Sequence, residues 1–243
     1  METELEQYNF GDDIVAFSTT RHGGVSKGNY AEMNINPYCG DDPKDVSANL
    51  KTLCDTLEIT TDHLILPHQT HQTVCRPITP EYFDLPNEKR KEYLEGVDAV
   101  MTDMPKVCVG VSTADCIPLL YYDTEHHALA AVHAGWRGTL AGIATKALEA
   151  MAQQYGTQPG KVKIMIGPGI SLKNFEVGDE VYEQFANTFP SSASCRRDTT
   201  SGISTCKSAT ACNCSMLVQD WRTSSCQTSA PMTRSTVSSP HAA

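Results

Sequence analysis

The sequence predicts an α+β fold built on a mixed β-sheet, and three observations carry that expectation. Between residues 97 and 138, short β-branched runs (VDAVMT, VCVGVS, CIPLLYYD, ALAAVH) alternate with tight polar joints, as strands separated by turns do. On either side, apolar residues recur at helical spacing. Strands and helices mix without a strict βαβ repeat, which argues for a mixed rather than a parallel sheet.

Taken in order, residues 13–18 (DIVAFS) read as a strand. The following TTRHGGVSKG is a loop of glycine and small polar groups. Such a loop can bring backbone N–H groups to an anion or be an ordinary surface turn, and no Walker-type lysine follows to favour the anion. Asp42 and Pro43 suit the cap and first position of a helix. Val46, Leu50, Leu53 and Leu57 mark its buried face. Residues 64–66 form a short strand running into His68 and His71, with 73–78 as its continuation, and the charged, proline-flanked 80–95 is a surface excursion. Residues 97–102, 107–111, 117–122 and 128–133 are four strand candidates. A helix over 139–155 buries Leu140, Ile143, Ala147 and Met151 and stops at Gly156. Residues 161–166 are another strand and 177–189 another amphipathic helix.

The chain of 243 residues is 40% hydrophobic, enough for one sizeable domain. Its formal net charge of -10 disfavours non-specific nucleic-acid binding, which needs basic patches. No apolar run is long enough to span a bilayer, and the start METELEQYNFGDD is too acidic for a signal peptide. The expected location is therefore cytoplasmic, where thiols stay reduced and the ten cysteines need a reading other than a disulfide framework. Composition leaves the oligomeric state open.

Candidate chemistry gathers at strand joints. Cys116 and His133 each lie at the end of a predicted strand, and neighbouring strands would bring such positions together. Zinc takes thiolate and imidazole, and a catalytic site keeps one position open beside three protein ligands. The third ligand lies in Pro67-His68-Gln69-Thr70-His71. Asp115 is placed to carry a proton, and Arg137, within the Ala134–Gly138 stretch AGWRG, offers a cation. Two other readings stand beside this one. Cys116 and His133 can be an inert core cysteine and a satisfied polar group, or a thiol nucleophile and its base.

These blocks resemble a known family. His71, Thr113-Ala114-Asp115-Cys116 and His133-Ala134-Gly135-Trp136-Arg137-Gly138 look like the signature blocks of the bacterial laccase-domain proteins. These YfiH-type proteins, once called multicopper polyphenol oxidases, are regarded as zinc-dependent purine nucleoside phosphorylases with adenosine deaminase activity. Arg21-His22-Gly23-Gly24-Val25-Ser26, Gly167-Pro168-Gly169-Ile170-Ser171 and Phe175-Glu176-Val177-Gly178 match as well, so the resemblance covers roughly residues 13–190. It implies an α/β sandwich with mixed sheets, shared with the Cys/His toxin deamidases. It implies His71, Cys116 and His133 as metal ligands; His68 has no match in the family's motif and is a candidate only for a place behind them. It implies purine nucleosides (adenosine, inosine, guanosine, methylthioadenosine) and phosphate as partners. Arg21 and Arg137 are then the candidates for holding phosphate, and Asp115, Cys116 and His133 the candidates for the chemistry. A copper-dependent phenol oxidase is the alternative within enzymes, although eight histidines are few for a multicopper site. A non-catalytic metal-binding remnant is the alternative outside them.

The chain divides into a core over 1–190 and a tail over 191–243 rich in serine, threonine and cysteine, with no helical or strand period. The resemblance implies a further helix, a strand and a Phe-Ser-x-Arg-Arg-like segment at this end. Re-reading each codon from its third base lets SGISTCKSATACNCSML, from Ser201, encode WHIDLQKCNRLQLLDA. The terminal VSSPHAA can encode FFSARR in the same way, given allowed codon choices. The tail from about residue 200 therefore reads as a frameshift product, and the five cysteines of 191–243 need no metal or redox role.

Overall fold

The computed structural model describes residues 3–171 and 174–189, together with the backbone of three short strands beyond them. The chain begins with β1 (Leu5–Tyr8) and β2 (Ala16–Thr19), then α1 (Pro43–Thr56), β3 (Leu64–Ile65) and β4 (Cys75–Pro77). Two short helices follow, α2 (Pro80–Asp84) and α3 (Asn87–Leu94). Next come β5 (Ala99–Thr102), β6 (Cys108–Val109), β7 (Ile117–Asp123) and β8 (Leu129–Ala134). The helices α4 (Trp136–Leu140) and α5 (Ile143–Tyr155) lead to β9 (Val162–Ile166), β10 (Glu176–Val177) and α6 (Asp179–Thr188). The last strands are β11 (Cys195–Arg197), β12 (Ser204–Cys206) and β13 (Cys226–Thr228).

The expected mixed sheet is present. Its order is β13-β9-β7-β8-β5-β4, with β4 parallel to β5, β13 parallel to β9 and the inner pairs antiparallel. The centre of this sheet is buried on both faces, which is why its strands read as continuous apolar runs. Ile143, Ala147, Leu148 and Met151 of α5 pack on Leu119, Tyr121, Val132 and Ile164. The opposite face carries Val100 and Ala131 against Ile78, Tyr82, Leu94 and Val109, and Tyr122 and Met165 against Tyr8 and Phe10. Helices on one side and small sheets with short helices on the other make the expected α/β sandwich. Among the described residues no helix is long and apolar enough to cross a membrane.

Several local expectations are corrected. Residues 80–95 are not a surface excursion, since Tyr82 and Leu94 enter the core. The helices there are short and their apolar residues form no long stripe, so charge and proline dominate the sequence. Residues 73–78 do not continue β3. Instead β3 pairs with β6 in a separate two-stranded parallel sheet, while β4 joins the edge of the main sheet. The helix over 139–155 is two helices, broken at Gly142 with φ +77°. The strand at 13–18 starts later, at Ala16, and pairs with an unforeseen β1. The tail, expected to lack strands, contributes β12 beside β10, β11 beside β12, and β13 beside β9. The slipped-frame reading otherwise falls outside the described residues. Two end signals hold as read. Asp42 accepts the Lys44 N–H at 2.9 Å, and Gly156 closes α5 with φ +74°.

Candidate metal centre

The separation of β3 from β4 places His71. The chain crosses from one small sheet to the edge of the main one, and His71 sits on that crossing with φ +62°, in the left-handed region. Cys116 occupies the bend just before β7, and His133 is the penultimate residue of β8. Because β7 and β8 are paired with Ile117 opposite Ala134 and Pro118 opposite His133, Cys116 comes beside the end of β8. The ligand atoms of His71, Cys116 and His133 all lie within 4.8 Å of one another. The two rings meet edge to face, centroids 4.8 Å apart.

Residues outside the donor set hold it. Asp98, at the entrance to β5, is fully buried, and its Oδ1 lies 2.7 Å from His133 Nδ1. The same carboxylate accepts the backbone N–H groups of Thr70, His71 and Gln72 at 3.3, 3.0 and 2.8 Å. Gln69 ties the His71 crossing to the segment that carries Cys116. Its Nε2 donates to the Ser112 carbonyl at 2.8 Å, and its Oε1 accepts the Ser112 N–H at 2.7 Å. Gly135 keeps the middle clear. A Cβ there would lie 2.8 Å from His71 Cδ2 and 3.2 Å from Cys116 Sγ.

The two histidines are driven in opposite directions. Burial pulls the His71 pKa down, the nearby His133 and Arg137 charges add to this, and Asp98 opposes it. Burial also works against a charged His133, but hydrogen bonds to Asp98 and Cys116 outweigh it and push the group up to about 9. Burial works against the Asp98 carboxylate as well. The His133 hydrogen bond and the backbone donors more than compensate and hold its pKa below the usual value.

The donor set fits zinc. It offers one thiolate and two imidazoles, with His133 Nδ1 engaged by a carboxylate so that Nε2 is left for a metal.

The model of the family described as multi-copper polyphenol oxidoreductase laccase matches residues 15–234. The chain belongs to this family. It is 46% identical over 173 residues to a protein of Bacteroides thetaiotaomicron named purine nucleoside phosphorylase, a match covering 71% of this chain and 64% of that relative. The chain thus spans a little under two thirds of that relative's length. It is 37% identical over 185 residues to adenosine deaminase RL5 of an unknown prokaryotic organism, covering 75% of this chain and 70% of the relative. In fold it is similar to the Bacillus licheniformis hypothetical protein YfiH, with a TM-score of 0.78 at 24% identity over 89% of this chain and 81% of that one.

Within this laccase-domain fold the remaining candidates separate. Arg137 is exposed, stacked on its neighbour Trp136 at 4.1 Å, and its charge reaches His71. Arg21 stands elsewhere. It donates to the Ala31 carbonyl at 2.8 Å and lines a cavity of about 480 Å³ whose walls include Ser112, Ala114, Pro118 and Gly167 but none of the three donors. Asp115 is half-buried on the Cys116 bend. His68 is turned to other partners, with Nδ1 2.8 Å from a Glu95 oxygen and its ring stacked on Tyr38 at 4.4 Å. The glycine loop is an ordinary turn in one respect: the N–H groups of His22, Gly23, Val25 and Ser26 all bond within the protein. Asp98 is the residue that sequence reasoning passed over. Its signal is an acid inside the apolar run VDAVMT, which a buried sheet tolerates only when fully hydrogen-bonded.

Proposed function

We propose that this chain is a zinc-dependent purine nucleoside phosphorylase that also deaminates adenosine, with residues 1–190 as its catalytic core. The convergence of His71, Cys116 and His133, with the Asp98 carboxylate behind His133, carries this reading. The names of the two relatives supply the substrate class.

In phosphorolysis a phosphate oxygen bonds to the anomeric carbon of the ribose while the bond to the purine nitrogen breaks. Positive charge builds on the sugar, so placing the anion and excluding competing geometries dominate. Arg137, steadied by its stack on Trp136 beside His71, presents a planar fork to the phosphate. Arg21 lines a cavity that includes none of the three donors, so its part in holding phosphate rests on the family resemblance and not on its placement. His71, Cys116 and His133 would hold zinc, which when bound would supply Lewis-acid chemistry for deamination. Asp115, half-buried on the Cys116 bend, would be the proton carrier to the purine ring.

One observation favours a second reading. Cys116, His133 and Asp98 stand in series, with the Cys116 sulfur within 4.8 Å of His133 and Asp98 Oδ1 2.7 Å from His133 Nδ1, the order of a thiol nucleophile, its base and an orienting acid. His71 separates the two readings, because a nucleophilic triad has no use for a further imidazole at the sulfur.

The test is phosphate-dependent release of base from adenosine, inosine, guanosine and methylthioadenosine, with the bound metal quantified. Release that follows zinc content and disappears in both Cys116→Ala and His71→Ala supports the proposal. Full activity in metal-free protein that survives His71→Ala establishes the nucleophile instead. Phenol oxidation that follows copper establishes the oxidase, and zinc binding without turnover leaves a metal-binding remnant.

A further inference from the structure

We propose that Asp98 is a positioning residue of the metal centre, fixing through one carboxylate both the ring orientation of His133 and the backbone that carries His71. The inference rests on the metal-binding reading above and adds to it a residue outside the donor set. It begins with a cost. A carboxylate with no exposure to solvent is strongly disfavoured unless its lone pairs are met. A carboxylate has about four acceptor sites, and Asp98 has four donors, namely His133 Nδ1 and three consecutive amides.

Those amides belong to Thr70, His71 and Gln72, the residues that turn the chain so that His71 meets the other donors. Successive N–H groups aimed at one anion form a concave cradle, here closed on a side chain of the protein itself. The cradle answers a local need. His71 is left-handed at φ +62°, a conformation unfavourable for a residue with a Cβ that persists only where the surroundings impose it. The second half of the arrangement follows from strand register. The His133 N–H donates to the Asp98 carbonyl at 2.8 Å, so pairing of β8 with the entrance to β5 sets the two side chains next to each other. With Nδ1 committed to Asp98, Nε2 is the nitrogen left to face Cys116 and His71.

A buried acid that merely stabilises the fold would affect the whole molecule and leave the metal equilibrium unchanged once folded. The experiment is built on that difference. Wild-type and Asp98→Asn proteins, stripped of metal, are titrated with zinc chloride against a chelator of known affinity. The expected result is one equivalent bound by each, with the variant weaker by about 10–100-fold. In parallel, nitrogen-15 imidazole spectra of the wild-type protein are expected to show a solvent-protected proton on His133 Nδ1. Equal zinc affinity in a folded variant, within about twofold, overturns the proposal. If the variant does not fold, the wild-type spectra decide, and an Nδ1 without a proton overturns it. Failure of the wild-type protein itself to bind zinc removes the metal reading instead, and the same spectra still judge the link between Asp98 and His133.

Discussion

Gly135 sits where three donor side chains converge, and what it lacks matters more than what it supplies. Its backbone is extended, with φ -73° and ψ 166°, so any residue can adopt it without strain. A methyl group there would nonetheless press on the His71 ring and the Cys116 sulfur from within the cluster. We therefore expect Gly135→Ala to fold, melt near the wild-type temperature and lose at least about tenfold in zinc affinity, roughly 1.4 kcal/mol. Unchanged affinity, read by chelator competition, would show that the donors can rearrange around an added carbon. Gly138, one turn on, has a different duty. A Cβ there would lie 2.9 Å from the Gln72 carbonyl, so its absence lets α4 close on the His71 crossing. Both glycines were visible in the sequence as places of close approach. What they approach was not, because His71 lies some sixty residues away along the chain and is brought near by the crossing from β3 to β4, held on the Asp98 carboxylate. Asp98 stayed hidden for the same reason. A lone acid in a strand has no pattern of its own, and its four donors come from two distant segments.

Elements buried on both faces were the most legible. β7, β8 and β9 form the middle of the sheet, where burial demands unbroken β-branched and small apolar residues. Elements shaped by their neighbours were not. α2 and α3 are too short to build an apolar stripe, and β1 exists only through its pairing with β2. The break between α4 and α5 shows how a single residue decides an element. Periodicity runs straight through 139–155, since Leu140 and Ile143 are both apolar and both pack inward. Gly142 interrupts it with φ +77°, turning α4 toward the metal centre and leaving α5 to cover the sheet. No atom lies within 4 Å of a Cβ built on Gly142, so a substitution there meets strain but no clash. Gly142→Ala should cost about 1–2 kcal/mol through the left-handed backbone. For a domain of this size that is a fall of roughly 2–8 °C in melting temperature. Zinc affinity should be unchanged, because the donors and their supports lie outside the turn. A variant that keeps its melting temperature but binds zinc more weakly would mean that the turn governs the site and not the stability.

Taken whole, the molecule is a sheet whose inner strands are secured on both faces, with its reactive residues gathered at one end of them. β7 and β8 deliver Cys116 and His133, β5 delivers Asp98, and the crossing from β3 to β4 delivers His71. The far edge of that sheet is β13, which lies parallel to β9 and comes from the tail. The tail therefore bears on the stability of the strand layer even though it supplies none of the proposed ligands. Its codons, re-read from their third base from about residue 200, can with allowed codon choices encode the segments that the family resemblance leads one to expect at this end. We propose that this slipped frame separates the chain from a fully stable form of the same enzyme. Each kcal/mol gained in such a domain raises its melting temperature by roughly 2–4 °C. Expressing the chain with the alternative frame restored should raise the melting temperature by several degrees and increase phosphate-dependent release of purine, with zinc bound at one equivalent in both forms. Sequencing the gene tests the premise independently, since an undisturbed frame shared with close relatives would remove it. If restoration leaves both stability and turnover where they were, the present tail is a working edge of the sheet and the core alone sets the activity.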